Sequence, residues 1–426
     1  MKKSLVLIML FVGAVFIFSA CEKKEKIEED VFSMENILGN WEGAIQIPET
    51  PLPITIQFGE KNSTISIPVQ GLNEYPLENV KLTEPALSFD MLIQGQRIAF
   101  AGKVIKDNIS GTFKQNGQQF PFELTKASPE SVIDKGETVK VKVSDGEMVG
   151  VLEKPEGNGP FPVMIIIAGS GPTDHNGNSI LLPGKNNSLK MLAEDLAKQG
   201  VASIRYDKRG VGENAHLVTK ENLLTFDQYI DDVASFIEYA KNDKLFSKIG
   251  IIGHSEGSLV GMVAANKKNI DVFISIAGAG RPINEVLIEQ LQVQLSGNLL
   301  EESKTILRKL AKKEQVANVS MELQSIFRPS VQPYLISWLA YNPSEEIQKL
   351  NCLVLIINGT NDIQVPVSDA EALYNSKVAS SLLIIKDMNH ILKEAPANRE
   401  GNIGTYSDPN LPLAKGLVDG IVEFIK

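Results

Sequence analysis

The chain has 426 residues, 43% of them hydrophobic and 22% charged, with a formal net charge of −10. That length accommodates more than one domain, and the acidic balance gives no electrostatic footprint for nucleic acid. With only Cys21 and Cys352 there is no disulfide framework. No Cys/His cluster has metal-ligand spacing, so neither metal nor cofactor is expected.

Lys2-Lys3 precede the apolar run Leu5–Phe18, followed by small residues and Cys21. This is the pattern of a secretory signal, assigned to 1–20. Phe18-Ser19-Ala20-Cys21 resembles a bacterial lipobox, with Cys21 as the lipid acceptor and Phe18 where Leu is usual. The alternatives are an ordinary signal peptide cut nearby or an uncleaved anchor. Two or more acyl chains anchor stably, whereas one holds only marginally. The expectation is an exported, membrane-anchored lipoprotein facing the periplasm or the cell exterior, with the polar segment 21–32 as a tether.

Residues 33–125 alternate apolar and polar positions at Ile45–Ile47, Ile54–Phe58, Ile65–Ile67, Ile98–Phe100 and Phe120–Leu124, with Gly and Asn turns between. This predicts a small antiparallel β barrel or sandwich, with Trp41 packed in its core. A linker, 126–136, leads into the remainder.

From 137 to 426 strand-like and helix-like runs alternate. Thr138–Val143 and Met148–Leu152 form a hairpin around Asp145-Gly146. Then follow Val163–Ile167, Leu189–Gln199, Val201–Tyr206, Phe226–Lys241, Ile249–Ile252, Ser258–Asn266 and Val272–Ile276, with a last helix at Leu413–Ile425. Such alternation predicts an α/β domain built on a doubly wound, mostly parallel sheet.

Gly253-His254-Ser255-Glu256-Gly257 lies between strand Lys248–Ile252 and helix Ser258–Ala265. A sharp strand–turn–helix corner would project Ser255 from the top of the sheet, with glycines where flanking side chains would clash. A serine hydroxyl needs a base. Among His175, His216, His254 and His390, the last closes the run Leu382–Asn389 near the C-terminus and is the candidate. His254 stands beside the serine, its side chain expected to point away. The carboxylate that would orient the imidazole is Asp362, in the loop after strand Cys352–Ile357, with Asp369 and Glu371 as less well placed fallbacks. The oxyanion hole needs two backbone N–H donors: Glu256, after the nucleophile, and Ser170, in the loop Ala168–Pro172, with Gly169 or Gly171 as alternatives.

These segments, with Gly169–Asn178, Tyr206–Glu213 and Met388-Asn389-His390, resemble an α/β hydrolase of the serine carboxylesterase and serine-aminopeptidase-like branch. The resemblance spans about Glu137 to Lys426. It implies the order Ser255, Asp362, His390 and a structural role for Asp207 and Arg209. Ala168 departs from the family, which often has histidine there.

Between 281 and 349 the pattern breaks into the amphipathic segments Asn284–Leu295, Leu300–Lys313 and Ser320–Phe327. They are read as a helical cap over the site, with Leu291 on the pocket wall. The alternative is a helical insert remote from it. Three functions follow from these readings. The leading one is a serine carboxylesterase cleaving short- to medium-chain esters through an acyl-enzyme. The second is a peptidase or aminopeptidase with the same triad, for which Glu285, Glu289, Glu301 or Glu302 would bind an amine. The third is a non-catalytic binding lipoprotein. The expected partners are a small-molecule ester and, through Cys21, a membrane.

Overall fold

The computed structural model describes residues 34–47, 52–67, 72–93, 95–126, 136–179 and 184–426. The expected signal segment, Cys21, the tether and 127–135 of the expected linker lie outside the described residues.

The N-terminal part is one antiparallel sheet. Its strands are β1 (Gly39–Ile45), β2 (Leu52–Phe58), β3 (Thr64–Ile67), β4 (Leu72–Pro76), β5 (Glu78–Thr83), β6 (Ala86–Ile93), β7 (Gln96–Ile105), β8 (Asn108–Gln115) and β9 (Gln118–Lys126). They lie in the order β4-β3-β2-β1-β9-β8-β7-β6-β5. A short helix, α1 (Met34–Ile37), precedes them. The two-residue period sends Trp41, Ile54, Ile56, Phe58, Phe89, Phe100, Phe113 and Phe122 to one buried face. Phe100 packs edge-on against both Phe113 and Phe122 and stacks on Phe89. The sheet curls: the Tyr75 hydroxyl on edge strand β4 donates to the Leu92 carbonyl on β6, next to the other edge. This is a single curled sheet rather than two packed sheets, and its interior is filled with side chains. Trp41 is wholly buried, its indole N–H donating to the Ile37 carbonyl at 2.7 Å.

The second part holds an eight-stranded sheet: β10 (Glu137–Val143), β11 (Gly146–Glu153), β12 (Phe161–Ile167), β13 (Ala202–Tyr206), β14 (Phe246–His254), β15 (Val272–Ile276), β16 (Leu353–Gly359) and β17 (Ser380–Ile385). Its order is β10-β11-β13-β12-β14-β15-β16-β17. β10 and β11 form the expected antiparallel hairpin, β11 meets β13 antiparallel, and every later pair is parallel. Both faces are covered, so the central strands are mostly apolar, with Ser203 and Arg205 of β13 and Ser275 of β15 among the buried polar exceptions. Along β12, Val163, Ile165 and Ile167 belong to one core and Met164 and Ile166 to the other. The first core packs against α3 (Phe226–Asn242), α4 (Glu256–Lys268) and α10 (Val367–Ser376). The second packs against α2 (Ser188–Lys198) and α12 (Leu417–Ile425).

Between β15 and β16 the cap comprises α5 (Ile283–Gln292), α6 (Gly297–Leu310), α7 (Gln324–Phe327), α8 (Gln332–Trp338) and α9 (Pro343–Gln348). The first three fall on the amphipathic segments expected from the sequence, whereas α8 and α9 lie outside them. Both of these helices are short and carry a proline in the first turn, where proline is tolerated because that N–H has no intrahelical partner. α8 is bound to α3: Trp338 stacks on Phe226 at 5.4 Å, and the Ser337 hydroxyl accepts from the Phe226 N–H at 2.8 Å. Among the described residues no helix is long and apolar enough to cross a membrane.

Candidate active site

The site sits at the C-terminal ends of the parallel strands, where open α/β sheets present their loops. β14 ends at His254, α4 begins at Glu256, and Ser255 is the single residue between them. Its backbone has φ 53° and ψ −120°, a region that L-residues rarely adopt. The turn survives because Gly253 and Gly257, two before and two after the serine, have no side chains. A Cβ on Gly253 would stand 2.4 Å from the Gly257 carbonyl oxygen, and one on Gly257 would stand 2.4 Å from the Ile167 carbonyl oxygen. The Ser255 N–H is held by the Ile276 carbonyl at 2.9 Å.

Asp362 follows β16 and His390 follows β17, so separate strands deliver three side chains to one place. The Ser255 hydroxyl lies 3.1 Å from His390 Nε2, and His390 Nδ1 lies 2.8 Å from Asp362 Oδ2. The Asp362 side chain is wholly buried. Its other oxygen accepts the N–H groups of Gln364 at 2.8 Å and Val365 at 2.9 Å, which fixes the carboxylate plane. His390 is buried and its loop is pinned: Asn389 accepts the Lys393 N–H and donates to the Thr405 hydroxyl. Asp369, one fallback, is engaged elsewhere. It accepts the Gly280 N–H at 2.9 Å and pairs with Arg281 at 2.7 Å. Glu371, the other, lies in α10.

His254 differs from expectation. Its ring does not point away from the site. Nε2 donates to the backbone carbonyl of His390 at 2.7 Å, and the two rings lie 5.0 Å apart. Burial, reinforced by the neighbouring His390, pushes the His254 pKa down to about 4. His254 therefore stays neutral at ordinary pH, as a donor that braces the His390 loop.

Ser170, Ser255 and Glu256 border one pocket of about 120 Å³, whose other walls include Leu259 of α4, Val286 and Leu287 of α5, and Trp338 of α8. The cap thus overhangs the serine. Leu291 is buried and does not line this pocket, to which α5 contributes Ile283, Val286, Leu287 and Gln290 instead. The Glu256 N–H opens α4, where the helix dipole favours negative charge.

The Tyr206–Glu213 segment is built of buried polar contacts. Asp207 accepts from the backbone N–H groups of His175 and Glu213 and pairs with the His175 ring at 2.6 Å. Arg209 bridges Asp232 and Asp145, each at 2.6 Å. Neither Asp207 nor Arg209 borders the pocket, in keeping with the structural reading. Lys208, between them, carried no expectation from sequence. It is buried with Glu256 in an ion pair of 2.7 Å.

The four cap glutamates considered for amine binding do not line the pocket. Glu289 pairs with Arg281, Glu301 with Lys304, and Glu302 accepts from Ser320. Glu285 is exposed. Among the described residues there is no group of three or more His, Cys, Asp or Glu able to hold a metal ion. Cys352 is a partly buried thiol, its pKa raised to about 11 mainly by burial.

Residues 184–394 match the family described as serine aminopeptidase, S33. The chain is 27% identical over 313 residues to esterase EstD of Thermotoga maritima, covering 72% of this chain and 71% of that protein. Among solved structures, Est1E of Butyrivibrio proteoclasticus aligns with 18% identity and a TM-score of 0.45, over 68% of this chain and 99% of that one. The esterase Pf2001 of Pyrococcus furiosus aligns with 15% identity and a TM-score of 0.43, over 70% and 95%. With its mostly parallel sheet and its serine on a strained corner after the central strand, the chain has the α/β-hydrolase fold, and the part that spans the cap is similar to the serine aminopeptidase, S33 family.

Proposed function

We propose that the protein is a serine carboxylesterase for short acyl chains, with Ser255 as nucleophile, His390 as general base and Asp362 as its orienting carboxylate. The observation that carries this reading is the continuous hydrogen-bonded line Ser255–His390–Asp362, at 3.1 and 2.8 Å. Ser255 Oγ attacks the ester carbonyl while His390 Nε2 takes its proton. The tetrahedral oxyanion is held by the N–H groups of Ser170 and Glu256. His390 then gives the proton to the departing alkoxide, leaving an acyl-enzyme. Water, deprotonated by the same imidazole, releases the acid. Asp362 stabilises the imidazolium formed in each half-reaction.

The small pocket supports short acyl groups. At about 120 Å³ it is well below the roughly 300–1,000 Å³ of drug-sized sites. The relative named as an esterase supports ester chemistry. For the peptidase reading, among the described residues the pocket offers no carboxylate side chain other than Glu256, which is already paired with Lys208. Turnover of p-nitrophenyl acetate beside an aminoacyl-p-nitroanilide tests this. Ester hydrolysis lost in Ser255→Ala, with the anilide left intact, is expected. Preferential anilide cleavage would overturn it.

The lipobox reading adds a place. Lipidated at Cys21, the enzyme would act at a membrane surface on the outer side of the exporting membrane. Mass spectrometry of the mature N-terminus tests this: an acylated Cys21 is expected, and an unmodified terminus elsewhere refutes it.

A further inference from the structure

Lys208 is a charged side chain with no partner in the triad, yet it is buried against Glu256, the residue after the nucleophile. Its ammonium makes two hydrogen bonds, to the Gly169 carbonyl at 3.0 Å and to Glu256 Oε1 at 2.7 Å. A third side is closed by the Tyr229 ring, whose centroid lies 4.3 Å away, a cation–π arrangement. The other Glu256 oxygen accepts from the Tyr334 hydroxyl at 2.5 Å. Burial and the Glu256 carboxylate keep the Tyr334 phenol protonated and therefore donating. The side chains of Lys208 and Glu256 are 5% and 1% exposed.

The two groups that this network grips are the carbonyl of the Gly169–Ser170 peptide, whose N–H is one of the two read as oxyanion donors, and the side chain of Glu256, whose backbone N–H is the other. In a trans peptide the C=O and the following N–H point in opposite directions within one plane. Holding the Gly169 carbonyl towards Lys208 therefore turns the Ser170 N–H the other way. Drawing electron density from that carbonyl also makes the N–H a better donor, since hydrogen bonds in a chain polarise one another. Lys208 holds Glu256 by its side chain, and Glu256 contributes its backbone N–H. Tyr334 sits on α8 of the cap, so the chain of contacts runs from the cap to the oxyanion hole.

We infer that Lys208 and the Glu256 side chain are positioning residues for the oxyanion hole, fixing the Ser170 and Glu256 N–H groups and coupling them to the cap through Tyr334. This rests on the reading of those two N–H groups as the oxyanion donors. Donors fixed in advance stabilise charge that exists only in the transition state. Loss of the clamp should therefore lower kcat while leaving ground-state binding in place.

The test uses the full chain and three variants: Lys208→Met, the double variant Lys208→Met/Glu256→Gln, and Tyr334→Phe. For each, kcat and KM for p-nitrophenyl acetate are measured beside the inhibition constant of a trifluoromethyl ketone, which forms a tetrahedral adduct carrying an oxyanion. Lys208→Met should lose about 10²-fold in kcat with KM within a few-fold, and the ketone should weaken by a similar factor. Met leaves Glu256 buried and unpaired, so this variant is also expected to unfold at lower temperature. The double variant removes both charges. It should regain thermal stability without regaining kcat, because the Gly169 carbonyl remains unclamped. A merely structural pair would regain both. Tyr334→Phe keeps the ring and should lower kcat and ketone affinity together, several-fold. Parallel recovery of stability and kcat in the double variant overturns the proposal, as do unchanged kcat and ketone affinity in folded Lys208→Met. If Lys208→Met does not fold, the double variant and Tyr334→Phe decide, and unchanged kcat in both counts against it. A wild-type protein that neither turns over the ester nor reacts with a fluorophosphonate refutes the esterase reading instead.

Discussion

The His254 imidazole N–H bonds to the backbone carbonyl of His390 at 2.7 Å, so the residue before the nucleophile holds the loop that carries the base. Its pKa falls from 6.5 to about 4, chiefly through burial. The unfolded state therefore binds more protons than the folded state between those values, and stability must rise with pH across that window. The contribution is complete above about 6.5 and is lost as pH falls towards about 4, amounting to about 3 kcal/mol. Chemical unfolding of wild type and His254→Gln at pH 7 and pH 4.5 measures it. The wild type should lose more stability than the variant on acidification. Equal losses would remove His254 as the source.

Gly257 faces the backbone of β12, where an added Cβ would lie 2.4 Å from the Ile167 carbonyl oxygen and 2.7 Å from that of Ala168. Backbone cannot swing aside as a side-chain tip can. Gly257→Ala should cost about 1–3 kcal/mol in unfolding free energy and slow fluorophosphonate labelling, because the displaced strand end leads into the Gly169-Ser170 loop. Wild-type stability and labelling would contradict this.

Leu287 lines the pocket and Leu291, one helical turn later, is buried away from it. Leu287→Ala should shift discrimination from acetyl towards longer p-nitrophenyl esters by about 1–3 kcal/mol, that is 10- to 200-fold. Leu291→Ala should instead cost about 2–5 kcal/mol of stability with little change in chain-length preference. Reversed outcomes would mean that the cap presents a different face to substrate.

Among the described residues, those lining the pocket all lie between Ser170 and Val365. The curled N-terminal sheet has its own aromatic core, and Lys185–Glu42 is an ion pair at 3.1 Å between the two parts. A protein beginning at Ser131 should therefore fold by circular dichroism and hydrolyse p-nitrophenyl acetate with near wild-type kcat. A folded but unreactive truncation would show that the N-terminal sheet completes the site.

That Ser255, Asp362 and His390 come together was readable because each ends or follows an apolar run with the pattern of a buried strand, and because the glycines of G-x-S-x-G stand where a Cβ would clash with backbone. Residues acting through burial were not readable. Lys208 lies between Asp207 and Arg209 in a run that reads as charged surface, and nothing local reveals that its partner is Glu256, 48 positions on. A signal did exist: Glu256 opens a helix whose next nine residues are all buried, so its carboxylate needed a partner. α8 escaped because seven residues hold too few turns to establish a period, although Tyr334 and Trp338 share a face four apart. In the N-terminal sheet, β5 has no buried residue and so no alternation to detect, and β8 places Gly111 where an apolar side chain would have marked the period. The single curled sheet, rather than a sandwich, depends on pairings that alternation does not encode. The direction of the His254 ring is not legible locally, because it is set by the His390 carbonyl, 136 positions on, to which its Nε2–H donates.

The central claim is that Ser255 is a nucleophile activated by His390 and held ready by Asp362. Stoichiometric titration of the purified protein with a fluorophosphonate, followed by peptide mass spectrometry, addresses it most directly. One adduct per chain, located on Ser255, is expected. The adduct should be absent in Ser255→Ala and strongly slowed in His390→Ala, with kcat for p-nitrophenyl acetate reduced by roughly 10⁴–10⁶ in both variants. A folded wild-type protein that remains unlabelled, or a Ser255→Ala protein that still turns over the ester at near wild-type rate, would contradict the account.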